Sequence, residues 1–113
     1  MKIWHLKTCD TCRKAIKALR AAGHDPVLID VRADGIAADD LARMAEHLPW
    51  EKLLNKKSTT WRGLDDADKA EIDQTKALAL IAAHPTLLKR PVIDGPGGMS
   101  VGWTADVQAK YAV

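Results

Sequence analysis

Two periods of apolar and polar positions run along this chain, and the switches between them mark its elements. Lys2 to Leu6 is short and apolar enough for a first strand. Residues 11–22 change to helical spacing: Ala15, Ile16, Leu19 and Ala22 recur together, while Arg13, Lys14, Lys17 and Arg20 fall on other faces. Gly23 is the expected stop, since a helix often ends on a glycine in the left-handed conformation. Pro26 then opens Val27-Leu28-Ile29-Asp30-Val31, a near-continuous apolar run that predicts a buried parallel strand. The first thirty or so residues thus read β–α–β, a crossover that is normally right-handed.

The middle of the chain is helical. Leu41, Met44, Ala45 and Leu48 share one face, and Pro49 ends that segment. Leu53 and Leu54 belong to a short turn or helix. Residues 66–83 predict a further helix with Ile72, Leu78 and Ile81 as core contacts, stopped by His84-Pro85. Pro91-Val92-Ile93-Asp94 reads as a strand, Gly95-Pro96-Gly97-Gly98 as a turn and Met99-Ser100-Val101 as the returning strand, together a β-hairpin. Thr104 can cap a last helix running through Tyr111. The order β-α-β, helical block, β-β-α predicts one α/β domain over residues 1–113. Its two ends complete a single four-stranded sheet, and a helical insertion occupies about 37–84.

Composition narrows the class. A chain of 113 residues can bury a real core, and 47% apolar with 28% charged residues is an ordinary globular balance. No apolar run approaches the roughly 18 residues of a membrane span. The opening Met1-Lys2-Ile3-Trp4-His5 lacks the apolar stretch of a secretion signal, so the expected compartment is the cytoplasm, where thiols stay reduced. A net charge of +2 does not argue for direct nucleic-acid binding.

The candidate chemistry lies in Thr8-Cys9-Asp10-Thr11-Cys12-Arg13-Lys14-Ala15, which holds both cysteines of the chain. With Cys9 at the helix N-cap, Cys12 falls one turn on, on the same face and within bridging reach. Unpaired N–H groups and the positive end of the helix stabilise a thiolate there, with Arg13 and Lys14 assisting and Asp10 opposing. Cys9, at the outer end, is the better nucleophile, and Cys12 the natural resolving thiol. A zinc site would need two more ligands, and His5, His24, His47 and His84 form no second pair. Two inert thiols on a helix remain the plain alternative. A pair at this spacing beside a β-α-β pattern most often reads as a thioredoxin-like redox motif.

Four segments together carry a family resemblance: C-D-T-C-R-K-A, L-L-N-K-K-S-T-T-W-R at 53–62, H-P-T-L-L-K-R-P-V-I at 84–93 and V-G-W at 101–103. In this order they resemble the arsenate reductase-like (ArsC/Spx) family of the thioredoxin superfamily, and best its YffB-type group, proposed as glutathione-dependent thiol reductases. The resemblance implies a thioredoxin-like fold with a helical insertion, Cys9 as catalytic thiol, Arg90 facing it and Pro91 as a cis-proline beside it. A guanidinium near a thiolate favours the charged form, and its planar fork can hold an oxyanion or carboxylate. Thr11, Arg13, Asn55, Thr59, Thr60, Arg62 and Pro91 carry over as substrate-binding positions.

Two departures redirect the reading. The arsenate reductases carry an Arg where Asn55 stands and another after the Arg-Pro strand, whereas here no Arg follows Arg90. These absences point away from dedicated arsenate reduction. The expected function is a cytoplasmic thiol–disulfide oxidoreductase, with glutathione as co-substrate, no bound cofactor or metal, and a monomeric state. The alternative is an Spx-like redox regulator that contacts RNA polymerase, with Cys9 and Cys12 as its switch.

Other residues have plainer readings beside functional ones. Lys52, Lys56, Lys57 and Arg62 are either a solvated face or a charged surface that collects glutathione carboxylates. Trp4 and Trp103 read as core, and Trp61 as a wall of the cleft. His5 reads as a packing histidine that could approach Cys9.

Overall fold

A computed structural model describes all 113 residues. The chain divides into two compact units, Met1–Asp34 with Arg90–Val113, and Gly35–Lys89.

The first unit is the thioredoxin-like part, a four-stranded mixed sheet with helices. Its strands are β1 (Lys2–His5), β2 (Val27–Asp30), β3 (Val92–Gly95) and β4 (Gly98–Val101), in the order β2-β1-β3-β4. β1 is parallel to β2 and antiparallel to β3, and β3 is antiparallel to β4. Helix α1 (Asp10–Ala21) joins β1 to β2, and the chain's last helix, Ala105–Lys110, follows β4. Ile3 and Ile93 are cross-strand partners, so they point to one face of the sheet. There they form a core with Ile16 and Leu19 of α1 and with Val107 and Tyr111 at the other helix. Trp4 is 1% exposed and pairs with Val92 on the opposite face, and its indole Nε1 has no hydrogen-bond partner.

Helix α1 ends as expected. Gly23 takes φ +93°, and the N–H groups of Gly23 and His24 return to the carbonyls of Arg20 and Leu19. The hairpin is tighter than the sequence suggested: Gly95 and Gly98 pair in the ladder, so the turn is only Pro96-Gly97. Proline fixes the first turn residue and Gly97 takes φ +91°, the demand of a type II turn. Thr104 does cap the final helix, its hydroxyl accepting from the Val107 N–H at 3.4 Å.

Three expectations are corrected. β2 parallels β1, but it is an edge strand, and Val27 is 58% exposed. Its apolar run is therefore covered on one side only. Trp103 is half-buried and packs against the core rather than within it.

The third correction lies in the second unit, where the single helix expected over 66–83 is broken. This unit contains α2 (Ala38–His47), α3 (Trp50–Leu53), α4 (Thr59–Arg62), α5 (Asp66–Lys69) and α6 (Gln74–Ala83), then a 3-10 turn at Pro85–Leu87. The final helix of the chain is thus α7. Between α5 and α6, Glu71 takes φ +51°, and Asp73 caps α6 by accepting from the Lys76 N–H at 2.8 Å. Both interrupt the 3.6-residue repeat. The α6 core contacts are Ala77 and Ile81, while Ile72 and Leu78 are only half-buried. Leu41, Met44, Leu53, Leu54, Leu87 and Leu88 complete the buried set of this unit.

Asp30, at the end of β2, is a buried acid that organises the loop before α1. Its Oδ1 accepts from the N–H groups of Arg32 (2.9 Å) and Ala33 (3.0 Å), and its Oδ2 from Lys7 (3.2 Å). The Ala33 N–H does most to hold its pKa below 3.8; burial opposes, and Arg32, Lys7 and His5 reinforce the lowering. A depressed folded-state pKa contributes stability that is complete above the unfolded value and lost as pH falls through the folded one. We expect Asp30→Asn to destabilise the protein by about 1–3 kcal/mol at neutral pH. Urea titrations should show that gap closing below pH 3.8. A gap independent of pH would refute the charge assignment.

Candidate active site at the start of α1

The β1–α1 loop is short, and its geometry makes Cys9 the cap of the helix. The Cys9 N–H bonds back to the Leu6 carbonyl at 2.9 Å, and its own carbonyl accepts from Arg13 at 3.1 Å. The Cys9 backbone is extended, and its Sγ accepts from the Cys12 N–H at 3.4 Å. A sulfur stands where a serine or aspartate oxygen usually satisfies one of the helix's orphan N–H groups. Cys12 is then the third helical residue, fully buried, and both thiols are free.

The two thiols are pushed in opposite directions. Burial raises the Cys9 pKa, but several smaller effects together bring it below its ordinary value of 9.0. These are the Cys12 N–H, the Cys12 thiol, the Arg90 guanidinium charge and the Thr11 N–H. Cys12 is pushed up to about 12, first by burial and then by its hydrogen bond to the Cys9 sulfur and that sulfur's charge. The Leu6 backbone and Arg90 only partly offset this. The site thus favours the thiolate form of Cys9 and the thiol form of Cys12, which donates to it.

The peptide bond between Arg90 and Pro91 is cis, Pro91 is buried, and its carbonyl accepts from the Gly102 N–H at 2.9 Å. Arg90, separated from β3 only by Pro91, is the cation that acts on both thiols. Arg13, expected to share that work, is directed elsewhere. Its Nε donates to the Lys7 carbonyl at 2.9 Å and its Nη1 lies 3.5 Å from Asp10 Oδ1. Asp10 partly neutralises it. Thr11 contributes to Cys9 through its backbone N–H, and its side chain is exposed. His5 is buried, and burial lowers its pKa below 6.5 against the attraction of Asp30.

The first unit therefore holds Cys9, Thr11, Cys12, Arg13, Arg90 and Pro91. Asn55, Thr59, Thr60 and Arg62 belong to the second unit, where their polar groups are largely occupied by their own segment. Asn55 Oδ1 accepts from the Lys57 N–H at 3.0 Å, and Thr60 Oγ1 lies 2.8 Å from Thr86 Oγ1. Arg62 Nη2 donates to the Lys57 carbonyl at 3.0 Å, and Thr59 is exposed at the first position of α4. Trp61 is half-buried, with the ammonium groups of Lys56 and Lys69 5.8 and 6.0 Å from its ring centre. Lys52, Lys56 and Lys57 are exposed.

Sequence reasoning missed Asp30, which orders the loop leading to Cys9. Its signal was present as an aspartate closing an apolar run ahead of Arg32-Ala33-Asp34, a setting for local side-chain-to-backbone bonding.

The opposed thiols give a direct expectation. Alkylation by iodoacetamide, read by peptide mass spectrometry, should label Cys9 with a midpoint below pH 9.0 and Cys12 only far above it. Equal labelling of both thiols at every pH would contradict the assignment.

Comparison with known proteins finds relatives along nearly the whole chain. A model of the ArsC family matches residues 4–110. A Haemophilus influenzae protein, described as uncharacterized, is 39% identical over 111 residues, covering 97% of each chain. The solved structure of a YffB protein is 35% identical, covers 99% of this chain and 98% of its own, and superimposes with a TM-score of 0.89. An arsenate reductase of Rhizobium meliloti is 26% identical over 98 residues, covering 85% of this chain and 69% of its own. The global transcriptional regulator Spx of Streptococcus mutans is 27% identical over 103 residues, covering 88% of this chain and 73% of its own.

Proposed function

This chain belongs to the ArsC family, and on that premise we propose that it is a thiol–disulfide reductase with Cys9 as nucleophile and glutathione as co-substrate. The observation that carries the reading is the Cys9 sulfur at the N-cap of α1, bonded by the Cys12 N–H and stabilised as a thiolate by the Arg90 charge. Thiolate, not thiol, attacks a disulfide.

In the first step the Cys9 thiolate attacks one sulfur of the substrate disulfide. A Cys9–substrate disulfide forms, the substrate S–S bond breaks, and the departing thiolate takes a proton from water. A glutathione thiolate then attacks the mixed disulfide, restores the Cys9 thiolate and leaves as a glutathione–substrate disulfide. One half of the substrate has then been released as a thiol, and a second glutathione, attacking the glutathione–substrate disulfide, releases the other half and leaves as glutathione disulfide, which completes the two-electron reduction. Cys12 can replace glutathione in that second step. Once Cys9 is in a disulfide, the charge and hydrogen bond that raise the Cys12 pKa are gone, but burial, the largest cause, persists. That favours glutathione as the resolving thiol. The single arginine ahead of the cis-proline and the Asn at position 55 favour disulfides over arsenate as substrates.

Incubation with glutathione disulfide, followed by mass spectrometry, tests the reading. One glutathionyl group should appear on Cys9 and be removed by free glutathione. A protein that takes up none, forms no Cys9–Cys12 bridge and reduces no disulfide is not this enzyme. The C-x-x-C pair within one helical turn also suits a redox-switched regulator. On that second reading the reduced and oxidised forms differ in copurification with RNA polymerase, and there is no turnover.

A further inference from the structure

We propose that the groove between α1 and β2 is a docking surface for an acidic protein segment carrying an aliphatic side chain. The inference stands on surface charge and shape, independently of the thiol chemistry.

The groove is open, with a volume near 410 Å³, and lies wholly within the first unit. Arg13, Lys17 and Arg20 border it from α1, at positions i, i+4 and i+7. That spacing lines one helix face over about 10 Å. Lys7 adds a fourth exposed cation at the Cys9 end. The floor is apolar, made by Ile16, which is 8% exposed, and half-buried Leu28. His5 also lines it, and its lowered pKa leaves it neutral at pH 7. The one carboxylate paired with these cations is Asp10, 3.5 Å from Arg13 at the Cys9 end.

This arrangement selects among occupants. The cations are spread along the groove rather than converging, so a compact anion would meet one or two of them, and an elongated acidic chain can meet Lys7, Lys17 and Arg20, while Arg13 is already engaged by Asp10 and the Lys7 carbonyl. The floor offers aliphatic surface and no large aromatic ring. It therefore suits a Leu or Ile side chain better than a nucleobase, which binds by stacking. Addition of a strand to β2 is poorly supported. The N–H groups of Val27 and Val31 turn inward to β1, which leaves Leu28 and Asp30 facing out, and the Asp30 N–H is already bonded to Asp34 Oδ2 at 3.2 Å. Docking must then run through side chains, with carboxylates on Lys7, Lys17 and Arg20 and one aliphatic group on Ile16 and Leu28. Such charge matching sets encounter rate and specificity and weakens with salt.

The test uses the full-length protein labelled with ¹⁵N. The probe is a synthetic peptide of repeated Glu-Glu-Leu-Asp, with a Gln-Gln-Leu-Asn peptide and a single-stranded oligothymidylate as comparisons. The acidic peptide should shift the amides of Lys7, Ile16, Lys17, Arg20 and Leu28, and the shifts should shrink as salt is raised. Fluorescence anisotropy with the Lys17→Glu/Arg20→Glu variant should show affinity reduced by about tenfold or more, with unchanged circular dichroism and unchanged Cys9 alkylation. The proposal is overturned by no shifts from the acidic peptide, by shifts centred elsewhere, or by equal binding of the neutral peptide. Tighter binding of the oligonucleotide at the same amides also overturns it.

Discussion

On the proposed mechanism, Cys9→Ser should lower glutathione-dependent disulfide turnover on the order of 10³-fold or more, while the fold stays intact. The two halves of that result have one geometric origin. Serine is among the best N-cap residues, so its hydroxyl can take over the bond from the Cys12 N–H, 3.4 Å from the present sulfur. The same hydroxyl keeps its proton at neutral pH and cannot displace a sulfur from a disulfide. Steady-state reduction of a glutathione mixed disulfide measures the first half and a thermal midpoint the second. A Cys9→Ser protein with the wild-type rate would move the nucleophile to another group and end the proposed mechanism. Cys12→Ala provides the contrast, since on the glutathione-resolved route it keeps most of the turnover.

The largest loss of stability is expected for Ile93→Ala. Ile93 is fully buried, pairs with Ile3 and lies against α1 and α7 in the core that holds the Cys9 helix to the sheet. Truncation removes apolar contact and leaves a cavity whose collapse is resisted from both the sheet and the helices. The expected cost is about 2–5 kcal/mol, a large share of the roughly 5–15 kcal/mol that holds a typical domain together. Urea unfolding should show a lower midpoint at nearly unchanged slope. Val27→Ala, at a position 58% exposed on the edge strand, should change stability by less than about 1 kcal/mol. Similar values for the two would show that the core does not have the packing described.

Much of this architecture was legible because local signals agreed with the tertiary result. The α1 repeat and its Gly23 stop, the Pro-Gly turn of the hairpin and the Thr104 cap each depend on neighbours within a few residues. The failures came where the deciding partner is distant or the conformation is rare. Nothing local marks β2 as an edge, because edge position depends on which strands join later. Glu71 in a left-handed conformation breaks α5 from α6, and a non-glycine residue rarely advertises that state. At the site, the spacing of Cys9 and Cys12 gave their relative depth. The cation that acts on them could not be read from spacing, because Arg90 is eighty-one residues from Cys9 and joins it through the fold. Arg13, nearer in sequence, is spent on Lys7 and Asp10. The Tyr111 hydroxyl was equally hidden. It lies 2.9 Å from the Gly98 carbonyl and 3.0 Å from Ser100 Oγ, anchoring the end of α7 to the hairpin.

The sulfur cap of α1 makes the state of Cys9 a folding variable. The bonds and charge that lower its pKa also favour the folded chain over an unfolded one in which the thiol titrates normally. That contribution is complete above pH 9.0 and lost as pH falls through the lowered value. A mixed disulfide removes the anionic sulfur and, with it, this part of the grip on the first turn of the helix. The reduced protein is therefore expected to be the firmer one at alkaline pH, and on the proposed mechanism each mixed disulfide loosens the helix that carries Cys9.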